Sequence, residues 1–141
     1  QLPERRVIYD LRTGEDLGKR DAFSVSIQPN RASWYALAPS RMPKAQIELP
    51  PRAIAGSVVP VRVSVPGASG LHAFRVKVLR GGKELTQFTR NLVAGSRPVD
   101  FVLPTALNDA PGPYVLQLED RYTHKLSSAQ FRLAAVDTVL P

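Results

Sequence analysis

Apolar side chains recur at every second position along most of this chain, and that period constrains the fold more than any other feature. Successive side chains of an extended strand point to opposite faces, so alternation specifies strands with one buried side. Val59, Val61, Val63 and Val65 share one face while Arg62 and Ser64 lie on the other. Before them, Val7, Tyr9 and Leu11 alternate up to a turn at Thr13-Gly14, Phe23, Val25 and Ile27 up to a turn at Pro29-Asn30, and Trp34 to Leu37 runs into Pro39. These runs predict a short antiparallel strand group over residues 1–39. Pro39 and Pro43 then fall within five residues, and two residues lacking an N–H cannot both sit in a paired central strand. Residues 40–43 therefore read as a linker.

The same period resumes over residues 44–136. Ile47 and Leu49 begin it; Phe74, Val76 and Val78 alternate with Arg75 and Lys77, and Gly81-Gly82 closes a hairpin into a strand from Leu85 to Thr89. Val99, Phe101 and Leu103 form the next strand, Tyr114, Leu116 and Leu118 another, and Phe131 and Leu133 the last, leaving 137–141 as a tail. Seven short strands with turn signals at roughly ten-residue intervals predict an immunoglobulin-like antiparallel β-sandwich. The fold class expected is thus all-β: a sandwich preceded by a short strand group. Thirteen prolines and nine glycines scattered between the apolar runs agree with it and disfavour helices. There is no cysteine, so neither a disulfide frame nor the Cys-Trp-Cys signature of antibody domains contributes.

The formal charge of +7 raises the question of nucleic acid, but Lys and Arg stand singly or in pairs such as Arg5-Arg6 and Lys19-Arg20. Dispersed cations of this kind keep strand edges soluble, and no nucleic-acid partner is expected. No apolar stretch approaches the roughly 18 residues of a spanning helix, so no membrane span is expected. The N-terminus, Gln1 to Arg6, shows neither an initiator Met nor a signal-peptide core, and the chain reads as a piece of something longer. No catalytic residue is assigned: no G-x-S-x-G elbow or phosphate-cradling loop occurs. His72 and His124, fifty-two positions apart on turns or strand edges, lack zinc spacing, so neither a metal site nor a cofactor is predicted.

The stretch ALNDAPGPYVLQLEDRYTHK, Ala106 to Lys125, gathers Asn108, Asp109, Glu119 and Asp120, hard oxygens that suit calcium but lack an EF-hand spacing. The plainer reading makes Asn108-Asp109 an Asx-type turn, opens a core strand at Tyr114 with its hydroxyl anchoring a loop, and ends that strand at Asp120 before a second turn over Arg121 to His124. For ligand binding, the aromatics Trp34, Tyr35 and Tyr122 are the residues on which a sugar ring could stack. Trp34 and Tyr35 are adjacent, so one of them points outward, where either a sugar or a neighbouring domain would cover it. A third use, adhesion or assembly through an exposed sheet edge, is open to any such fold.

Two stretches carry a family likeness. "VIYDLRTGEDLGKRDAFSVSIQPNRASWYALAP", Val7 to Pro39, resembles the closing strands at the C-terminal side of large glycoside-hydrolase-like proteins related to β-galactosidases. "HAFRVKVLRGGKEL", "RNLVAG" and "ALNDAPGPYVLQLEDRYT" resemble the accessory immunoglobulin-like module that follows in such multidomain proteins. The resemblance covers most of the chain. It implies a noncatalytic accessory region of a secreted or envelope-associated carbohydrate-active protein, extracellular or in the cell envelope, with neighbouring domains of a parent protein as partners and polysaccharide as a further one. No active-site residue is carried over by it. Where related modules often place Trp after the Pro-Gly turn, this chain has Tyr114.

Overall fold

The computed structural model of the chain describes residues 1–136, and the tail assigned to 137–141 lies outside them. Among the described residues the fold is all-β, with twelve strands and one short 3-10 turn. β1 (Arg6–Asp10), β2 (Asp16–Arg20) and β3 (Tyr35–Ala38) form an antiparallel sheet in the order β2-β1-β3. Residues 39–45 hold no regular element. The sandwich then uses β4 (Gln46–Glu48), β5 (Arg52–Ile54), β6 (Val58–Ser64), β7 (His72–Arg80), β8 (Lys83–Glu84), β9 (Arg90–Ala94), β10 (Val99–Pro104), β11 (Gly112–Asp120) and β12 (Leu126–Ala134). One sheet has the order β10-β6-β4; the other runs β5-β12-β11-β7, with β8 and β9 sharing the outer edge of β7.

Alternation decided which faces meet. Val59, Val61, Val63 and Val65 from one sheet face Phe74, Val76, Val78, Leu116, Leu118, Phe131 and Leu133 from the other, and all lie in one buried core. Val7, Tyr9 and Ala38 form a second, smaller cluster under the N-terminal sheet, with Met42 packed against it. The Tyr114 hydroxyl donates to Ala110 O at 2.8 Å, the loop anchor expected of it.

Several expected elements differ. Phe23, Val25 and Ile27 form no strand: β2 and β3 already occupy both edges of β1, so the segment between them only has to cross over. Its alternating residues stay largely outside, with Ile27 88% exposed. Leu85 to Thr89 is not a strand either. Residues Thr86–Phe88 make a 3-10 turn that tucks Phe88 into the core, and pairing beyond Gly81-Gly82 lasts only through β8. Three strands carry no clear sequence signal, β2, β5 and β9. β5 arises because Pro50 and Pro51 end the pairing of β4 and let the chain switch sheets, where it runs parallel to β12 with Ala53 opposite Leu133. The sandwich thus has nine strands among the described residues rather than seven, and one of its pairings is parallel.

The β1–β2 and β11–β12 hairpins close through the same turn. Asp10 Oδ1 accepts N–H bonds from Arg12 and Thr13, and Asp120 Oδ1 accepts them from Tyr122 and Thr123. Gly14 N–H donates to Asp10 O, and His124 N–H to Asp120 O, each at 2.8 Å. Thr13 Oγ1 and Thr123 Oγ1 each accept from the residue two positions on. The sequence Asp-x-x-Thr therefore builds this turn by side-chain capping, and the residue after Thr takes positive φ, 74° at Gly14 and 56° at His124. The two turns abut, so a Cβ at Gly14 would lie 2.6 Å from Thr123 O.

Candidate functional site

Where these turns meet, a cleft of about 390 Å³ opens between the N-terminal sheet and the sandwich. β3 and the segment after it, Tyr35 to Pro43, form one wall; Ser69 to His72 and Tyr122 form the other. β3 supplies that wall because its inner edge pairs with β1, Asp10 opposite Tyr35, while its outer edge has no partner strand among the described residues. The wall is fixed in place by Tyr9, whose hydroxyl accepts the Met42 N–H at 3.0 Å, and by Arg41, whose Nε lies 3.0 Å from Asp16 Oδ2. Burial pushes the Tyr9 phenol above its ordinary pKa, with the Met42 bond opposing, so it remains a neutral acceptor.

The opposite wall is built by register. Asp120 ends β11 directly opposite Phe74 on β7, which brings its carboxylate to the start of β7. There His72 Nδ1 lies 3.3 Å from Asp120 Oδ2, and the two residues are only 4% and 6% exposed. The imidazole is parallel to the Phe74 ring at 6.1 Å and meets Tyr122 edge-on at 6.1 Å. A carboxylate against Nδ1 makes that nitrogen the donor, and in the neutral imidazole Nε2 is then the acceptor.

Of the aromatics singled out from sequence, Tyr35 and Tyr122 line this cleft from its two walls. Trp34 does not; it is 69% exposed just before β3, outside the cleft wall. Tyr35 is braced by Phe23, edge-to-face at 5.0 Å. Sequence reasoning places His72 on an edge or turn and leaves it without a role, whereas the fold buries it against a carboxylate 48 positions away. The one local signal is Asp120 at a strand end.

The oxygens of the Ala106–Lys125 stretch do not converge. β11 separates Asn108-Asp109 from Glu119-Asp120, and its eight steps span about 26 Å at the usual rise per residue. Asp109 instead accepts the Ala106 N–H at 2.7 Å, and Glu119 pairs with Lys77 and Arg121, each at 2.9 Å. Among the described residues no three His, Cys, Asp or Glu side chains gather as a metal would require, and no helix is long and apolar enough to cross a membrane.

Fold and cleft together define a class: an immunoglobulin-like β-sandwich with a small antiparallel sheet mated to one end. No family model and no curated protein matches the sequence. Among solved structures, the chain is similar to a superoxide reductase (neelaredoxin) from Ignicoccus hospitalis, at 18% identity over 67% of this chain and 81% of that one, with a TM-score of 0.41. It is also similar to a β-glucosidase from Listeria innocua, at 13% identity over 66% of this chain, with a TM-score of 0.45. The same enzyme in complex with isofagomine gives 0.46. The chain spans 16% of the length of that β-glucosidase. The two neighbours differ in chemistry, and neither assigns an activity to this chain.

Proposed function

We propose that this chain is a noncatalytic accessory module of a larger carbohydrate-active protein, working outside the cell or in its envelope and holding a neighbouring domain in a set position. The mated turns carry this reading. Gly14 seated against the Thr123 backbone, with the His124 ring nitrogen 3.0 Å from Leu11 O, ties together the hairpins that carry two separate apolar cores, which suits a spacer that transmits orientation. The crossover beside the N-terminal sheet leaves Val25, Ile27 and Trp34 exposed, an apolar surface of the kind an adjoining domain covers. The sequence resemblance to β-galactosidase-related proteins points the same way.

Backbone 15N relaxation of the isolated protein tests it: one rotational correlation time should describe β1–β3 and the sandwich alike. Two independent times would refute the spacer. Incubation with aryl β-galactosides and β-glucosides should give no turnover, and turnover abolished by Asp120→Asn would overturn the noncatalytic assignment.

A second reading, carbohydrate contact, is favoured by one observation: Tyr35 and Tyr122, from elements far apart in sequence, share a single cleft. The partner would be a polysaccharide chain presenting the apolar face of a sugar ring.

A further inference from the structure

We propose that the cleft binds one unit of a neutral, hydroxyl-rich ring, a glycosyl residue, and that His72 is its polar anchor, accepting a hydroxyl hydrogen at Nε2. The inference rests on the carbohydrate reading and adds the residue that selects the ligand.

His72 is more than nine-tenths buried, yet among the described residues its ring makes a single hydrogen bond, through Nδ1 to Asp120. Nε2 has no protein partner among the described residues. It is not sealed in either, since among the described residues no buried side-chain nitrogen or oxygen is left unsatisfied, and His72 is part of the cleft wall. A nitrogen acceptor in that position is flanked by three neighbours: Asp120 sets the tautomer, Phe74 lies parallel to the ring and Tyr122 stands nearly perpendicular to it. Water satisfies it in the open cleft, and a ligand that displaces this water must bring a hydroxyl donor, because an acceptor closed off without one is costly.

The charge balance selects a neutral ligand. Arg41, the cation on the opposite wall, is paired with Asp16, and His72 faces Asp120, so no spare positive charge awaits an anion. The remaining wall is mostly apolar or aromatic, with Leu11, Leu71 and Met42 beside the two tyrosines, and its other side-chain polar groups are the neutral hydroxyls of Ser40 and Ser69. A largely apolar wall with one fixed acceptor and two neutral hydroxyls matches a pyranose, which has C–H faces and a rim of hydroxyls. The volume of about 390 Å³ falls in the small-molecule range, ~300–1,000 Å³.

The test is an NMR titration of the intact chain with methyl β-galactoside, methyl β-glucoside, methyl α-mannoside and xylobiose, following the His72 ring nitrogens, with glucuronic acid as the anionic comparison. His72→Asn is the informative variant, because its amide can still donate to Asp120 while nothing occupies the Nε2 position. The expected result is saturable binding of a neutral sugar with a shift at Nε2, weakened about tenfold in His72→Asn and also weakened in Tyr35→Leu or Tyr122→Leu. Should His72→Asn fail to fold, the Nε2 shift in the unaltered protein decides. Binding that depends on either tyrosine but leaves Nε2 and His72→Asn unaffected would overturn the anchor while keeping the carbohydrate reading. Silence with every sugar would overturn both, and binding of glucuronic acid alone would overturn the neutral class.

Discussion

His124 donates from Nε2 to the main-chain oxygen of Leu11 across 3.0 Å, linking residues 113 positions apart. His124 sits in the left-handed region, φ 56°, where its counterpart in the first hairpin is Gly14. A non-glycine there is held at a cost of about 1 kcal/mol. The side chain that imposes the strain is also the one that reaches the N-terminal sheet, so strain and linkage reside in one residue.

Replacing His124 separates the two. His124→Gly removes both the strain and the bond, each worth about 1 kcal/mol, and should leave the urea midpoint almost unchanged. His124→Ala keeps the strain and loses the bond, and should destabilise by about 1 kcal/mol. Both should loosen the coupling between the two apolar cores, read as faster amide exchange at Leu11 to Gly14.

Gly14→Ala meets two obstacles, positive φ and a Cβ 2.6 Å from the Thr123 carbonyl oxygen, a backbone atom with little freedom to yield. Gly81→Ala has positive φ but open space around the added carbon. Gly81→Ala should therefore cost about 1 kcal/mol and Gly14→Ala at least twice that, measured by chemical denaturation. Equal losses would mean that the turns do not bear on each other.

Tyr114 stacks on Phe131 at 5.3 Å and donates to Ala110 O at 2.8 Å. Tyr114→Phe keeps the ring and deletes the bond. A loss of about 1 kcal/mol is expected, with the 106–111 loop more exposed to protease.

Acid should expose the cross-strand pair between Lys77 and Glu119. The Lys77 hydrogen bond is the main cause that holds the Glu119 carboxyl below its ordinary range, against the opposing effect of partial burial. A depressed folded pKa means the contribution is complete above the ordinary Glu value and fades as pH falls through the folded one. Lys77→Met should be less stable than the unaltered chain by about 1 kcal/mol or less at neutral pH, since a surface pair gains little more. The difference should vanish in strong acid. A gap that persists there would assign the loss to packing of the lysine stem.

Much of the architecture is legible in the residues alone. The valines of β6 and the aromatic and aliphatic positions of β7 and β11 declare their buried faces by alternation, because side-chain direction in a strand is set by the backbone of the strand itself. The same rule overreaches at Phe23, Val25 and Ile27, where alternation is present but no neighbouring strand remains to pair with. It falls short at β5, whose three residues carry too little pattern, and at Leu85 to Thr89, which buries a single Phe88 through a 3-10 turn.

The sequence by itself determined that the chain is all-β, where its main turns fall and which faces of its longer strands enter a core. All of these follow from interactions within a few residues: alternation, proline's missing N–H, and Asp and Thr capping their own turns. The tertiary structure alone decided that Tyr35 and Tyr122 share a cleft while Trp34 stays outside it, that His72 meets Asp120, and that two like turns seat against each other. Those pairings depend on strand register and on where the chain returns after tens of residues. No local preference encodes that return; the joint packing of two sheets and a third, smaller one does.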